Sequence, residues 1–336
     1  MKLIIQIPCY NEETELERTI ADLPHELPGI DAIEVLVIDD GSTDATADVA
    51  RRAGAHYLLR MPVHLGLARA FSAGLDAALK LGADVIVNTD ADRQYPGDQI
   101  RPLIRPILAG EADMVIGDRA PHRLAHFGWV KRRLQRVGSW AVRQLSGTQV
   151  PDAASGFRAF SRRAALKLNV LTNFTYTLET IIQAGKKYIP ITHVPIRTNP
   201  ETRPSRLFAS VLTYLRHSAS TMVRIYAMYE PLRVFGALGA LAIGAGILIG
   251  MRFVVDYLYY GGEGHIQSLI LASVLLIIGF QTMLIGLLAD LIAGSRALVE
   301  DTLFRVRELE LRLGEGPDVE RLGEPVATAR EQARSS

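Results

Sequence analysis

The stretch Asp84-Val-Ile-Val-Asn-Thr-Asp-Ala-Asp-Arg-Gln-Tyr-Pro96 joins a short apolar segment to an acidic loop. An apolar run of this length, bounded by polar residues, is typical of a strand buried on both faces. Asp90 and Asp92 follow that strand, where α/β sheets bind their ligands. Two carboxylates two residues apart can face one cation, and such oxygen ligands suit Mg²⁺ or Mn²⁺ bridging a diphosphate. An isolated Asp-x-Asp is more often a solvated turn, so the neighbouring loops decide between the two interpretations.

The same order of strand, polar loop and helix recurs on both sides of this stretch. Apolar runs predict strands over 3–7, 34–38, 84–87 and 113–116, and helical periodicity predicts helices over 12–23, 44–53, 67–81 and 98–108. Alternating strands and helices predict an α/β domain with a mostly parallel sheet. The carboxyl ends of its strands therefore define the edge at which a ligand is expected.

Two further polar loops follow predicted strands, over 8–13 and 39–44. An acidic residue at the end of a strand, such as Asp39, can accept hydrogen bonds from a ribose or a base edge. The alternative is a helix cap formed by Ser42 or Thr43, with Asp44 in the first turn, and both roles are compatible. The chain contains neither a Gly-x-Gly-x-x-Gly after the first strand nor a Gly-Lys-Ser/Thr loop, which disfavours a dinucleotide site and a P-loop.

Two apolar segments near the carboxyl terminus, 234–255 and 268–289, are each long enough to cross a bilayer, which takes about 20 residues. Arginines precede the first and follow the second, so the positive-inside rule predicts that both termini are cytoplasmic and that the linker is external. We expect a multi-pass protein of the plasma membrane, without a secretory signal. The alternative is a helical hairpin buried in a soluble core. Gly246 and Gly250 lie four residues apart and would permit close helix contact in a homo-oligomer.

The remaining carboxyl-terminal chain divides by pattern. Apolar residues at helical spacing over 205–231 predict an amphipathic helix that lies in the membrane interface, or that packs on the soluble domain instead. We expect a catalytic domain over 1–204, this helix, a transmembrane hairpin over 232–294, a cytoplasmic helix over 295–313 and a disordered tail over 314–336.

Composition narrows the functional classes. The 336 residues contain one cysteine, which excludes a disulfide framework. Residues 1–120 carry 11 Lys or Arg and 20 Asp or Glu, whereas residues 121–233 carry 18 and 4. The acidic part suits metal binding, and the basic part suits phosphates or anionic membrane lipids. A nucleic-acid partner is not expected, since no nucleic-acid motif accompanies the basic residues.

Five motifs in this order resemble the family 2 glycosyltransferases, in particular the polyprenyl-phosphate glycosyltransferases that include dolichol-phosphate mannose synthase and the bactoprenol glucosyltransferases. They are Ile-Pro-Cys-Tyr-Asn-Glu-Glu (7–13), Val-Ile-Asp-Asp-Gly-Ser-Thr-Asp (37–44), Asp-Ala-Asp-Arg-Gln-Tyr-Pro (90–96), Val-Ile-Gly-Asp-Arg (115–119) and Ser-Gly-Phe-Arg-Ala-Phe-Ser (155–161). The resemblance spans about residues 3–200 and implies a GT-A-like fold.

The resemblance also implies roles for individual residues. The nucleotide-sugar pocket would be formed by Pro8, Tyr10, Glu12, Asp39, Asp40 and Asp90. The metal would be held by Asp90, Asp92 and Gln94. Arg119 would face the acceptor phosphate, and Asp152 would lie near the reacting carbon of the sugar. Arg197 and Arg203 fall in a stretch that fits the family pattern only loosely and would close over the diphosphate of the donor.

These observations predict a metal-dependent, inverting transferase that moves one sugar from a UDP- or GDP-linked donor to a polyprenyl phosphate at the cytoplasmic membrane face. An acceptor phosphate is already an anion, so Asp152 is interpreted either as a general base or as an orienting residue; without the family match, a turn residue is equally compatible. The alternatives are a different lipid acceptor, such as diacylglycerol, and a non-catalytic membrane adaptor or flippase.

Overall fold

The computed structural model describes residues 1–119, 129–170, 176–200, 220, 223–224, 226–260, 266–314 and 316–322. Two compact units emerge from the contacts. The first comprises Met1–Met222 together with Phe304–Ser336, and the second comprises Val223–Leu303. Most of the predicted amphipathic helix at 205–231 lies outside the described residues, as does Arg203.

The first unit is built on a single sheet. Its strands are β1 (Lys2–Cys9), β2 (Ala32–Asp39), β3 (Tyr57–Arg60), β4 (Val85–Asn88), β5 (Met114–Asp118), β6 (Arg158–Ser161), β7 (Ile191–Pro195) and β8 (Glu320–Arg321). They lie in the order β7-β5-β6-β4-β1-β2-β3-β8. β1 is parallel to both β2 and β4, and β6 is antiparallel to both β4 and β5. The carboxyl ends of β1, β2, β4 and β5 therefore meet the amino end of β6 at one edge.

Helices connect these strands. They are α1 (Leu16–Ala21), α2 (Thr46–Arg52), α3 (Leu67–Lys80), α4 (Ile100–Leu108), α5 (Trp129–Ser146), α6 (Arg162–Lys167) and α7 (Tyr176–Lys186). The sheet is buried between them, and the apolar side chains of β1 and β4 are almost wholly shielded from solvent. Phe71 of α3 stacks on Tyr176 of α7, with ring centroids 3.8 Å apart. The predicted α/β fold with a mostly parallel sheet is confirmed.

The predicted elements are present with shifted boundaries, and the short strands β3, β6 and β7 were not predicted. The first helix begins at Leu16 rather than at residue 12, because the N–H groups of Glu15 and Leu16 both donate to the Glu12 carbonyl in a preceding turn. The strand at residues 34–38 extends to Ala32–Asp39. The acidic stretch that starts with Asp39 therefore begins at the last residue of β2.

The carboxyl-terminal segment returns to this sheet. β8 pairs with β3, and the Arg51 guanidinium donates two hydrogen bonds to the Glu320 carboxylate at 2.9 and 2.7 Å. Leu322 donates its N–H to the His56 carbonyl and packs against the core. The prediction of disorder over 314–336 is therefore wrong for these residues, because a long-range strand pairing orders them. The composition of the segment carries no sign of that pairing.

The second unit consists of two long helices, α8 (Pro231–Tyr260) and most of α9 (Ile266–Leu313). Both are long and apolar enough to cross a membrane, and most of their side chains are exposed. That exposure is opposite to the burial expected of a hairpin in a soluble core, and it suggests membrane anchoring. α9 continues through residues 294 and 295, where a domain boundary was predicted.

Glycines allow α8 and α9 to touch. A Cβ on Gly239 would lie 2.8 Å from the Gly279 carbonyl oxygen, and a Cβ on Gly279 would lie 2.8 Å from that of Gly239. Gly246 similarly faces the Ala272 carbonyl of α9. Gly246 therefore serves packing within the hairpin of one chain, and the homo-oligomer stays a prediction.

Candidate active site

The loops after β1 and β2 are held together by reciprocal hydrogen bonds. Asn11, at a φ of 55°, donates its N–H to Ser42 Oγ (2.9 Å), and its Oδ1 accepts the N–H of Thr43 (2.9 Å). The N–H of Glu12 donates to Thr46 Oγ1 (2.8 Å). These bonds fix the backbone between Pro8 and Glu12 against the start of α2. The predicted cap of α2 by Ser42 or Thr43 is not formed: Ala45 occupies the N-cap position, and Asp44 Oδ1 accepts the N–H of Thr46, the first residue of the helix.

Asp39 and Asp40 are both buried, and donors of the protein surround their carboxylates. Asp39 Oδ1 accepts the N–H of Ser42 (2.9 Å). The two oxygens of Asp40 accept the N–H groups of Leu65 and Gly66, each at 2.8 Å, ahead of α3. Asp40 thus anchors the loop that leads into α3. A direct role of either residue in nucleotide binding stays a prediction.

An aromatic pair lies beside these acids. The Tyr10 ring stacks on the His64 imidazole at a centroid distance of 3.8 Å, and both side chains are partly exposed. His64 Nδ1 lies 2.9 Å from Asp40 Oδ2, so this carboxylate fixes the orientation of the imidazole. The pair gives the predicted nucleotide pocket a flat, partly exposed aromatic surface of the kind on which a base could stack.

Asp90 and Asp92 lie on the loop that follows β4. Removal from water and the nearby Asp92 carboxylate raise the pKa of Asp90 to about 7, with a further contribution from Glu12. Asp90 packs against Gly156, where a Cβ would lie only 3.1 Å from Asp90 Oδ1. The glycine at the start of the β6 motif therefore permits this close approach. Gln94 donates its N–H to Asp92 Oδ1 (3.1 Å).

This acid pair fits the predicted divalent cation. Burial and the Asp92 charge raise the pKa of Asp90, and a cation would relieve the repulsion between the two carboxylates. Within the described part of the chain, no group of three or more His, Cys, Asp or Glu side chains could hold a metal ion. Mg²⁺ and Mn²⁺ held by one or two carboxylates commonly complete their coordination with water and substrate phosphates. The two carboxylates of Asp90 and Asp92 therefore fit a cation that also binds a diphosphate, and the metal site stays a prediction.

Arg119 and Asp152 form a bidentate ion pair. Arg119 Nε donates to Asp152 Oδ2 (2.7 Å), and Nη2 donates to Oδ1 (3.0 Å). Asp152 is fully buried. Burial alone would raise its pKa, but the Arg119 charge and hydrogen bonds outweigh burial, and the net pKa lies below the ordinary value. The two residues predicted to act on the acceptor and at the sugar are thus direct partners.

A network of buried polar side chains supports the loops at the carboxyl end of β4 and the amino end of β6. The sequence patterns did not identify its members as functional. Asn88, at the end of β4, donates to the Gly156 carbonyl and to Tyr176 Oη, both at 2.9 Å. Arg158 is fully buried, and its guanidinium donates to the carbonyls of Ala153, Ser155 and Thr177. Arg158 stands in the quoted β6 motif, which was the only signal. It holds the loop between Asp152 and Gly156 in place.

Arg197 is placed differently from the other predicted site residues. Its guanidinium pairs with Asp98 at 2.5 Å, and both side chains are exposed. The structure therefore does not bring Arg197 into contact with Asp90 or Asp92. Its predicted action on the donor diphosphate remains a prediction.

The sequence is similar to a known protein family and to individual glycosyltransferases. Residues 4–168 match the model of "Glycosyl transferase family 2". The chain is 27% identical to glycosyltransferase AglJ of Haloferax volcanii, over 91% of this chain and 97% of that protein. It is 26% identical to the polyprenol monophosphomannose synthase of Mycolicibacterium smegmatis, over 58% of this chain and 76% of the other.

A solved structure shares the fold. It is the crystal structure of glucosyl-3-phosphoglycerate synthase from Mycobacterium tuberculosis with Mn²⁺, UDP-glucose and phosphoglyceric acid. It superposes with a TM-score of 0.53 at 22% identity, over 67% of this chain and 80% of that one. The first unit is accordingly a GT-A-like domain. The chain is also 31% identical to an uncharacterized glycosyltransferase of Mycobacterium bovis, over 59% of this chain and 85% of that protein. The motif order and these relatives agree, and the chain belongs to glycosyl transferase family 2.

Proposed function

We propose that this chain transfers one sugar, with inversion, from a UDP- or GDP-linked donor to a polyprenyl phosphate in a reaction that requires Mg²⁺ or Mn²⁺. The observation that carries the choice of acceptor is the ion pair between Arg119 and Asp152. The name of the M. smegmatis relative, a polyprenol monophosphomannose synthase, supports the same acceptor class.

The ion pair favours one class of acceptor because it determines whether Asp152 can act as a base. A hydroxyl acceptor, such as that of diacylglycerol, must lose a proton as it attacks, and a carboxylate near the reacting carbon would accept it. Both oxygens of Asp152 are already engaged by Arg119, and its pKa is lowered, so Asp152 is a poor proton acceptor. A phosphate acceptor is already anionic and needs no base. The geometry therefore favours a lipid phosphate over a lipid alcohol.

Each side chain has a role in holding two anionic reactants together. Asp90 and Asp92 would hold the metal, which when bound supplies positive charge to the departing diphosphate. Arg119 uses Nε and Nη2 to hold Asp152, which leaves Nη1 for an oxygen of the acceptor phosphate. Tyr10 would stack on the base. Catalysis then consists of alignment and charge stabilisation.

The course of the chain supports the placement of the catalytic domain and the carboxyl-terminal segment on the same side of the membrane. Residues 304–322, which include the end of α9, lie in the same compact unit as residues 1–200, while α8 and the rest of α9 intervene in the sequence. If both helices cross a bilayer, the chain leaves on one side and returns to it. Together with the basic flanks, this return supports a cytoplasmic catalytic domain at the plasma membrane.

Transfer to competing acceptors tests the proposal. The purified chain is given radiolabelled UDP- and GDP-sugars with undecaprenyl phosphate, undecaprenol or diacylglycerol, with Mn²⁺ present or chelated. We expect an organic-extractable, mild-acid-labile product only with undecaprenyl phosphate and Mn²⁺. A labelled product from diacylglycerol or undecaprenol, or undiminished transfer without divalent metal, would contradict the proposal. The absence of transfer to any acceptor would favour the non-catalytic adaptor or flippase.

Topology is tested separately by cysteine labelling. Cys9 is buried, so a cysteine introduced by Tyr259→Cys or Asp318→Cys reports alone. In intact cells, an impermeant maleimide should label the Tyr259→Cys variant and not the Asp318→Cys variant. The reverse pattern would place the catalytic domain outside the cell, away from cytosolic nucleotide sugars.

A further inference from the structure

The segment that follows β7 contacts the acidic loop through Asn199. Asn199 Nδ2 donates to the Arg93 carbonyl (2.8 Å), and its backbone N–H donates to the Gln94 carbonyl (2.9 Å). One residue thus binds two consecutive carbonyls immediately after Asp92. The acidic loop is thereby tied to a part of the chain more than a hundred positions further along the sequence.

The turn that Asn199 binds is strained. Arg93 has a φ of 59°, in the left-handed region that long side chains rarely adopt. Such a conformation persists only where surrounding contacts impose it. The next residue, Gln94, donates its N–H to Asp92 Oδ1 (3.1 Å), so the same turn orients the Asp92 carboxylate. A relaxed Arg93 would move this N–H, and Asp92 would lose its fixed orientation.

The segment that carries Asn199 is itself anchored. Ile196 donates its N–H to the Asp118 carbonyl at the end of β5, and the N–H of Arg197 donates to Gln99 Oε1 (3.1 Å). The Arg197 guanidinium pairs with Asp98. Asn199 therefore reaches the acidic loop from a segment fixed at the sheet and at the start of α4, which allows it to constrain the loop.

We propose that Asn199 is a positioning residue: it holds Arg93 in the left-handed conformation and thereby keeps Asp92 oriented toward the divalent cation. The proposal rests on the proposed function for the existence of that cation. Groups that orient a metal ligand from outside the coordination shell typically contribute roughly 10- to 100-fold to metal affinity. A purely structural Asn199 would instead affect the melting temperature and leave metal affinity unchanged.

The first test measures Mn²⁺ affinity by electron paramagnetic resonance, with UDP or GDP present, on the full chain in detergent. Asn199→Ala should weaken Mn²⁺ binding by roughly tenfold or more, while nucleotide affinity without metal stays unchanged. Asn199→Ser, whose hydroxyl is too short to reach the Arg93 carbonyl, is the second variant and should behave alike. Thr198→Ala is the matched control on the same segment and should bind Mn²⁺ normally.

A rescue experiment separates backbone strain from charge. Glycine adopts positive φ without steric cost, so Arg93→Gly in the Asn199→Ala background should restore part of the lost Mn²⁺ affinity. Arg93→Ala in the same background removes the same charge without that freedom and should restore less. Equal rescue by glycine and alanine would overturn the proposal, because the effect would then be electrostatic.

The remaining outcomes distinguish the two proposals. If the unaltered chain binds Mn²⁺ and Asn199→Ala and Asn199→Ser bind it equally well, the positioning role is overturned and the proposed function stands. If the unaltered chain binds no Mn²⁺ in the presence of either nucleotide, both proposals fail.

Discussion

The sheet edge carries two acid pairs that look alike in the sequence and differ in the structure. Asp39 is the last residue of β2 and Asp40 follows it, and backbone N–H groups of Ser42, Leu65 and Gly66 donate to their carboxylates. Asp90 and Asp92 follow β4, and there burial and mutual repulsion raise the pKa of Asp90 to about 7.

This difference in the surroundings of the carboxylates distinguishes acids that hold the loops in place from acids that are available to bind a ligand. Donors of the protein already stabilise the negative charge of Asp40, so this residue holds a loop. The repulsion between Asp90 and Asp92 remains for a cation to relieve. Asp152 resembles Asp40 in this respect, since Arg119 neutralises it.

We expect the largest effect on sugar transfer from a substitution in the Asp90–Asp92 pair. Asp92→Asn removes the charge of a proposed metal ligand and also the repulsion that Asp92 exerts on Asp90. We expect sugar transfer to fall by at least about 100-fold, beyond the range for groups that only orient a ligand. The metal-free melting temperature should not fall, because repulsion is lost. Radiolabel transfer and thermal unfolding measure the two quantities; a clearly lower metal-free melting temperature would show that Asp92 supports the fold.

Arg119 extends the comparison to the third acid. Arg119→Ala should reduce kcat/KM for the lipid phosphate by roughly ten- to a hundredfold, the loss of one charge-assisted hydrogen bond. Arg119→Lys should recover only part, because an ammonium cannot pair bidentately with Asp152. Calorimetry of donor binding is the control. Equal losses for donor and lipid would mean that Arg119 merely holds Asp152 and its loop.

The pH dependence of metal binding tests whether repulsion and burial at Asp90 distinguish the Asp90–Asp92 pair from the Asp39–Asp40 pair. Asp90, with a pKa of about 7, is largely protonated at pH 6 and must release its proton to bind a cation. Mn²⁺ affinity should therefore rise by about tenfold from pH 6 to pH 7.5 and then level off. Titration calorimetry at several pH values measures it. A flat profile over this range would mean that Asp90 is ionised throughout and that the repulsion is weak.

The smallest effect on metal binding is expected at Asp40. Asp40→Asn should lower the free energy of unfolding by about 1–3 kcal/mol, since hydrogen bonds to a buried charged acceptor are lost. Mn²⁺ affinity should stay within about twofold of the unaltered protein, a change of less than 0.5 kcal/mol. Denaturant unfolding in detergent measures the first quantity. Normal stability with impaired metal binding would reverse the roles assigned to the two pairs.

The sequence predicted this edge well because its signals are local. Each apolar run followed at once by polar residues is contained in about ten positions, and such patterns place Asp39, Asp90 and Asp92 at strand ends. The motif order identified the fold and most of the candidate site residues. The strained turn at Arg93 and the approach of Asp90 to Gly156 need backbone geometry that no pattern encodes.

Contacts between distant positions were the part that could not be predicted. Arg119 and Asp152 are 33 residues apart, and β8 joins the sheet after both apolar helices. Arg158 was quoted within a motif, yet its burial and its bonds to backbone carbonyls follow only from tertiary structure. Short strands such as β3 lack the length for a clear alternating pattern.

Mn²⁺ binding by the unaltered chain, Asp92→Asn and Asp40→Asn tests the central claim most directly, measured by electron paramagnetic resonance at pH 8 with UDP or GDP. We predict that the unaltered chain and Asp40→Asn bind Mn²⁺ alike and that Asp92→Asn does not bind it. Undiminished binding by Asp92→Asn, or loss of binding by Asp40→Asn, would contradict the assignment of the metal to the Asp90–Asp92 pair.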